Sequence, residues 1–103
     1  QGEDELLYSD HLITGPVHWI GEAPEQLMRK GAMPCTAKVR YRQADQACRI
    51  RNAADSSVEV MFELRQRAVA PGQYAVFYSG EHCLGGAPVE RLMPSVDALR
   101  AAV

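Results

Sequence analysis

Long apolar runs are missing from this chain. No stretch approaches the roughly 18 residues a membrane-spanning helix requires, and no basic, apolar, then small-residue succession opens it as a secretory signal does. The expected setting is therefore the cytoplasm, with no membrane partner. Cysteine is scarce: Cys35, Cys48 and Cys83 are an odd count with no C-x-x-C spacing. They read as reduced, buried, small apolar side chains. A disulfide between Cys35 and Cys48, or a metal site drawn from these thiols with His11, His18 or His82, are the alternatives. G-x-S-x-G, H-E-x-x-H, Walker-type and G-x-G-x-x-G patterns are all lacking. The three histidines are scattered without a neighbouring acid and nucleophile, so no catalytic and no metal-binding residue is assigned.

What remains is an ordinary globular composition. The 103 residues are 47% hydrophobic and 23% charged, with a net charge of -2, enough for one domain and far from the composition of disorder. The chain begins QGEDE without Met, which suggests a piece of something longer. Apolar residues alternate with period two, and this predicts strands near 6–13, 17–20, 35–43, 46–52, 58–64, 74–78 and 82–92. Ala70-Pro71-Gly72-Gln73 is a type II turn signal, with Pro at the first central position and Gly at the second. Gly85-Gly86 inside a strand pattern predicts a bulge or a close backbone approach. The expected fold is all-β: a small antiparallel β-barrel of about six to seven strands. One or two helical turns are expected over 24–30, and a short C-terminal helix or tail over 94–103.

Charge is distributed unevenly. Residues 36–51 hold five basic side chains and one acid, leaving six basic and twelve acidic residues elsewhere. A two-residue turn at Ala44-Asp45 would set Tyr41 opposite Cys48 and Val39 opposite Ile50, with the apolar residues on one face. The other face would then carry Lys38, Arg40, Arg42, Arg49 and Arg51, with Arg40 facing Arg49 and Lys38 facing Arg51. Like charges across a ladder are unfavourable, so an external polyanion is the natural counterpart. Same-side strand residues recur about every 6.6 to 7 Å, close to the phosphate spacing of a nucleic-acid strand. The alternative is solvated positions neutralised by Glu59 and Glu63 on the next strand. Tyr41, Tyr74 and Tyr78 offer stacking faces for RNA.

The segments CTAKVRYRQADQAC and QRAVAPGQYAVFYSGEHCLGGAPVE, with the upstream ELLYSDHLITGPVHWI, resemble the C-terminal domain of tRNA-specific 2-thiouridylases of the MnmA/TrmU type. The resemblance implies a parent enzyme that thiolates the wobble uridine of certain tRNAs. An N-terminal catalytic domain would use ATP and magnesium to adenylate the uracil, and two upstream Cys would deliver sulfur as a persulfide. It implies no cofactor in this segment, whose role would be tRNA binding through Arg40, Tyr41 and Gln73, with partners in the N-terminal domain and a sulfur-donor protein. The competing role is a packing barrel that docks on the catalytic domain or the sulfur donor without touching tRNA. The chain departs from the family pattern at Ala70, where Thr commonly precedes PGQ, at Ala87-Pro88 after CLGG, and in a longer 26–34 connection.

Overall fold

The computed structural model describes residues 8–40, 43–67 and 69–93. Alternation of inward apolar and outward polar residues produces seven strands: β1 (Tyr8–Thr14), β2 (His18–Trp19), β3 (Ala32–Lys38), β4 (Gln46–Asn52), β5 (Val58–Arg67), β6 (Tyr74–Ser79) and β7 (His82–Leu92). They pair antiparallel in the order β1-β5-β4-β3-β6-β7-β2, and an added β1–β7 pairing closes six of them into a barrel. Closure removes the open edges that would otherwise invite pairing with another chain. The short β2 lies outside the ring, joined only to β7.

The barrel interior is filled by Leu12, Ile50, Val58, Val60, Phe77 and Val89, all but excluded from solvent. Trp19 reaches in from β2 and tilts against Phe77, with ring centroids 6.2 Å apart. One end is covered by helix α1 (Glu25–Lys30), which inserts Leu27 into the same core. The helix stops at Gly31, whose φ of 79° suits glycine and lets its N–H bond the Leu27 carbonyl at 2.8 Å. Asn52 at the end of β4 donates a side-chain hydrogen bond to the same carbonyl, tying helix to barrel. Pro34 is tolerated inside β3 because β6 joins that strand only from Thr36 onward.

The all-β barrel agrees with the sequence expectation, and β4 and β7 begin and end where the alternation placed them. The expected C-terminal helix falls outside the described residues. The hairpin register needs correction. β3 starts at Ala32 rather than Cys35 and pairs Cys35 with Cys48, Pro34 with Arg49 and Ala32 with Arg51. The Ala44-Asp45 two-residue turn does not form. Such a turn wants positive φ at both central positions, which an alanine resists. Instead the chain leaves the ladder after Lys38, and Gln43 ties the connection down: its side chain accepts from the Val39 N–H at 3.1 Å and donates to Gln66 at 2.6 Å. The shift is six residues, an even number, so every side chain keeps its face. Val39, Cys48 and Ile50 still point inward.

Candidate nucleic-acid interface

β3 and β6 lie side by side, with Lys38 opposite Val76 and Thr36 opposite Tyr78. The inward residues of β6, Ala75 and Phe77, are fully buried, so Tyr74, Val76 and Tyr78 face outward on one strand. Beside them lie Lys38 at the end of β3 and Val39 and Arg40 just beyond it. Together with Gln73 these residues line an open groove of about 770 Å³. The Lys38 ammonium sits 5.4 Å from the centre of the Tyr78 ring, a cation–π distance. Gln73 enters from the PGQ turn, where Gly72 takes φ 93° and the Gln73 N–H returns to the Ala70 carbonyl at 3.3 Å. Its side-chain oxygen accepts from the Ala70 N–H at 3.0 Å, which locks it to its own turn. Among the described residues, Asp45 is an acid within reach of the Lys38 charge. Asp45 accepts a 2.6 Å hydrogen bond from Thr36, and that bond first, with the Lys38 charge a lesser contributor, holds its carboxyl below the usual range.

The groove therefore gathers Lys38, Arg40 and Gln73 from the expected set, and adds Val76, which sequence reasoning did not single out; Val39 borders it while its side chain stays in the core. The other described cations are elsewhere. Arg49 pairs with Pro34, four residues or about 13 Å along β3 from Lys38, and Arg51 pairs with Ala32, about 20 Å away. The expected cation-on-cation ladder of Arg40 with Arg49 and Lys38 with Arg51 is not formed. Tyr41 and Arg42 lie outside the described residues.

Arg51 is matched within the molecule. Its guanidinium donates to Glu59, its cross-strand neighbour on β5, with the Nε bond at 2.8 Å, and His11 of β1 meets the other carboxylate oxygen. Burial pushes the Glu59 carboxyl up, but the hydrogen bonds from Arg51 and His11 prevail and leave it below the ordinary range. A carboxyl depressed on folding contributes stability above its unfolded pKa of about 4.3, and that contribution fades as pH falls through the folded value. Arg51→Ala removes the dominant compensation. We expect a loss of about 1–2 kcal/mol at neutral pH and acid unfolding that sets in at higher pH than in the parent, read by circular dichroism across a pH series. An unchanged acid limb would show the pairing to be inconsequential.

Cys35 and Cys48 face each other across the β3–β4 ladder with their sulfurs 3.6 Å apart, and both are free thiols, as is Cys83. The hydrogen bond from Cys48 holds the Cys35 thiol below its ordinary value, and the same contact with burial pushes Cys48 up. Cys35 is the more accessible of the two. Alkylation by iodoacetamide should reach Cys35 first, with a rate midpoint below the ordinary pH of about 8.5, and Cys48→Ala should move that midpoint upward. Equal labelling of both thiols would contradict this. Among the described residues no group of three or more His, Cys, Asp or Glu side chains is placed to hold a metal ion. Nor is any helix there long and apolar enough to cross a membrane.

The family model described as the aminomethyltransferase beta-barrel domain matches residues 9–89. Among curated proteins, the tRNA-specific 2-thiouridylase MnmA of Marinobacter nauticus is 48% identical over 97 residues, covering 93% of this chain and 23% of the relative. The proteins of the same name from Aeromonas hydrophila and Legionella pneumophila are 47% and 46% identical, over 88% and 85% of this chain and 24% and 23% of their own lengths. The chain thus spans about a quarter of the curated relatives it matches.

Proposed function

Because the chain belongs to the aminomethyltransferase β-barrel domain family, as the C-terminal barrel of tRNA-specific 2-thiouridylases, we propose that it is the tRNA-holding domain of an enzyme that thiolates the wobble uridine. The observation that carries this reading is the convergence of Lys38 and Arg40 with Gln73, Tyr74 and Tyr78 on one open groove. Two cations suit the phosphates of one strand, and aromatic faces beside them suit its bases. Contacts to the backbone orient the RNA and give salt-dependent affinity without choosing a sequence. Adenylation with ATP and magnesium, and sulfur delivery by persulfide cysteines, belong in this proposal to the rest of the parent chain. The barrel acts by presenting the anticodon stem-loop to that chemistry.

The opposite flank favours a second role. There Arg51 is already paired with Glu59, and Leu64 of β5 stands 71% exposed, a surface better suited to packing against another part of the parent or a sulfur-donor protein than to phosphate. A hydroxyl-radical footprint of tRNA on the full-length protein, repeated on a version lacking residues 1–103, tests the main reading. Backbone protections on the stem-loop should disappear with the barrel. The same footprint from both proteins would leave packing as the barrel's role.

A further inference from the structure

We propose that the groove continues into a side pocket that receives one unpaired nucleobase of the bound RNA, stacked on the exposed face of Tyr74. The inference rests on the reading of the groove as an RNA interface. Next to the groove, and sharing Tyr74 and Val76 with it, lies a pocket of about 210 Å³. That is several times the roughly 30 Å³ share of one water molecule.

The pocket arises from a missing side chain. Across β6, β7 and β2, Val76, Gly86 and His18 form one cross-strand row, and the glycine in the middle leaves room for the Tyr74 ring to lie against its backbone and wall the pocket. A Cβ at Gly86 would stand 2.6 Å from Cε2 of Tyr74 and 2.8 Å from the Ala75 carbonyl oxygen, so only bare backbone can seat the ring there. The Tyr74 ring leans over this bare backbone and remains 53% exposed. Ile20, 58% exposed, lines the same pocket, and its N–H is anchored to the Leu84 carbonyl at 2.9 Å. An aromatic plane supported on rigid backbone and an aliphatic neighbour offer a slot for a flat ring.

The occupant is fixed by what adjoins it. A strand whose phosphates lie on Lys38 and Arg40 brings its bases to the Tyr74 side of the same groove. Only an unpaired base can turn a face to that ring, since the faces of paired bases are covered by their stacked neighbours. Every base has a π-face, so the slot selects single-stranded character over sequence.

The test uses the full-length protein with an RNA stem-loop carrying 2-aminopurine at successive loop positions, and with a duplex RNA of equal length. One loop position should show a fluorescence change on binding. Tyr74→Leu should abolish that change and weaken stem-loop binding roughly fivefold to a hundredfold, the range a lost base–aromatic stack implies. Tyr74→Phe should retain both, because the ring and not the hydroxyl does the stacking. Duplex binding and the salt slope should be the same in all three proteins, since the cations are untouched. If Tyr74→Leu and Ile20→Ser bind the stem-loop as the parent does, the pocket proposal is overturned while the groove reading stands. If Lys38→Ala with Arg40→Ala also changes nothing, the groove reading falls and this inference falls with it.

Discussion

Gly85→Ala should destabilise the barrel by about 3 kcal/mol or more, the largest effect expected of any single methyl group in this protein. A Cβ at that position would stand 2.3 Å from the His18 carbonyl oxygen and 2.9 Å from the Trp19 Cα. Both obstacles are backbone, so no rotamer change relieves them. The residue also sits at φ 153°, where side chains are strained whatever the space. Steric overpacking and backbone strain each cost about 1–3 kcal/mol, against a total stability of about 5–15 kcal/mol for a domain of this kind. A domain of this size loses roughly 4–8 °C of Tm per kcal/mol, so the melting point should fall by about 12–24 °C. Gly80→Ala is the matched control. It too has positive φ, 60°, but nothing lies within 4 Å of its added carbon, so strain alone remains at about 1 kcal/mol. Equal melting points for the two variants would refute the idea that β2 is held so closely against β7. The prediction also touches function, since β2 and the residue after it supply His18 and Ile20 to the pocket beside the groove.

That close approach is legible in the chain alone, because a strand gives up two successive side chains only where it bulges or where another backbone passes near. The PGQ turn is legible for the same reason, its Gly72 taking the positive φ the turn requires. Facing is legible too: Val39, Cys48 and Ile50 point inward as the alternation demands. Register is not. Period two is blind to any even shift, and the six-residue shift between the expected and observed β3–β4 pairing leaves every face unchanged. Only turn chemistry breaks that tie, and here the connection is shaped by Gln43 bonding to Val39 and to the distant Gln66, which no local pattern announces. The dispersal of the cations follows from that shift alone. The pairing of Arg51 with Glu59 is within reach of the sequence, because Glu59 lies on the polar side of β5. The groove is not, since β3 meets β6 across some forty residues of chain. Family resemblance names Arg40 and Gln73; topology explains why they share a surface.

Lys38→Glu combined with Arg40→Glu in the full-length protein should weaken tRNA binding about a hundredfold while leaving the fold intact. Each cation that meets a phosphate forms a charge-assisted hydrogen bond worth about 1.5–3 kcal/mol, so losing two costs about 3 kcal/mol at the low end, or two decades in Kd. Replacement by carboxylates adds repulsion from the phosphates, and it compounds the field of Asp45, already ionised beside Thr36. The salt dependence should change with the affinity. Each phosphate released lowers the log-log slope by about 0.9 on a duplex or 0.7 on a single strand, so the double variant should lose between about 1.4 and 1.8. The fold should survive at a cost of about 0.5–1 kcal/mol for the lost contact of Lys38 with the Tyr78 ring, read as a small fall in melting point. The same reversal at Arg49, on the far part of the β3–β4 hairpin, is the informative contrast. If all positive charge acted through a diffuse field, Arg49→Glu would cost as much as either groove substitution. If the groove is the interface, its effect should stay within about threefold at 0.15 M salt, where a separation of about 13 Å exceeds the screening length of about 8 Å. A slope unchanged in the double variant, whatever the affinity, would mean that Lys38 and Arg40 do not touch phosphate.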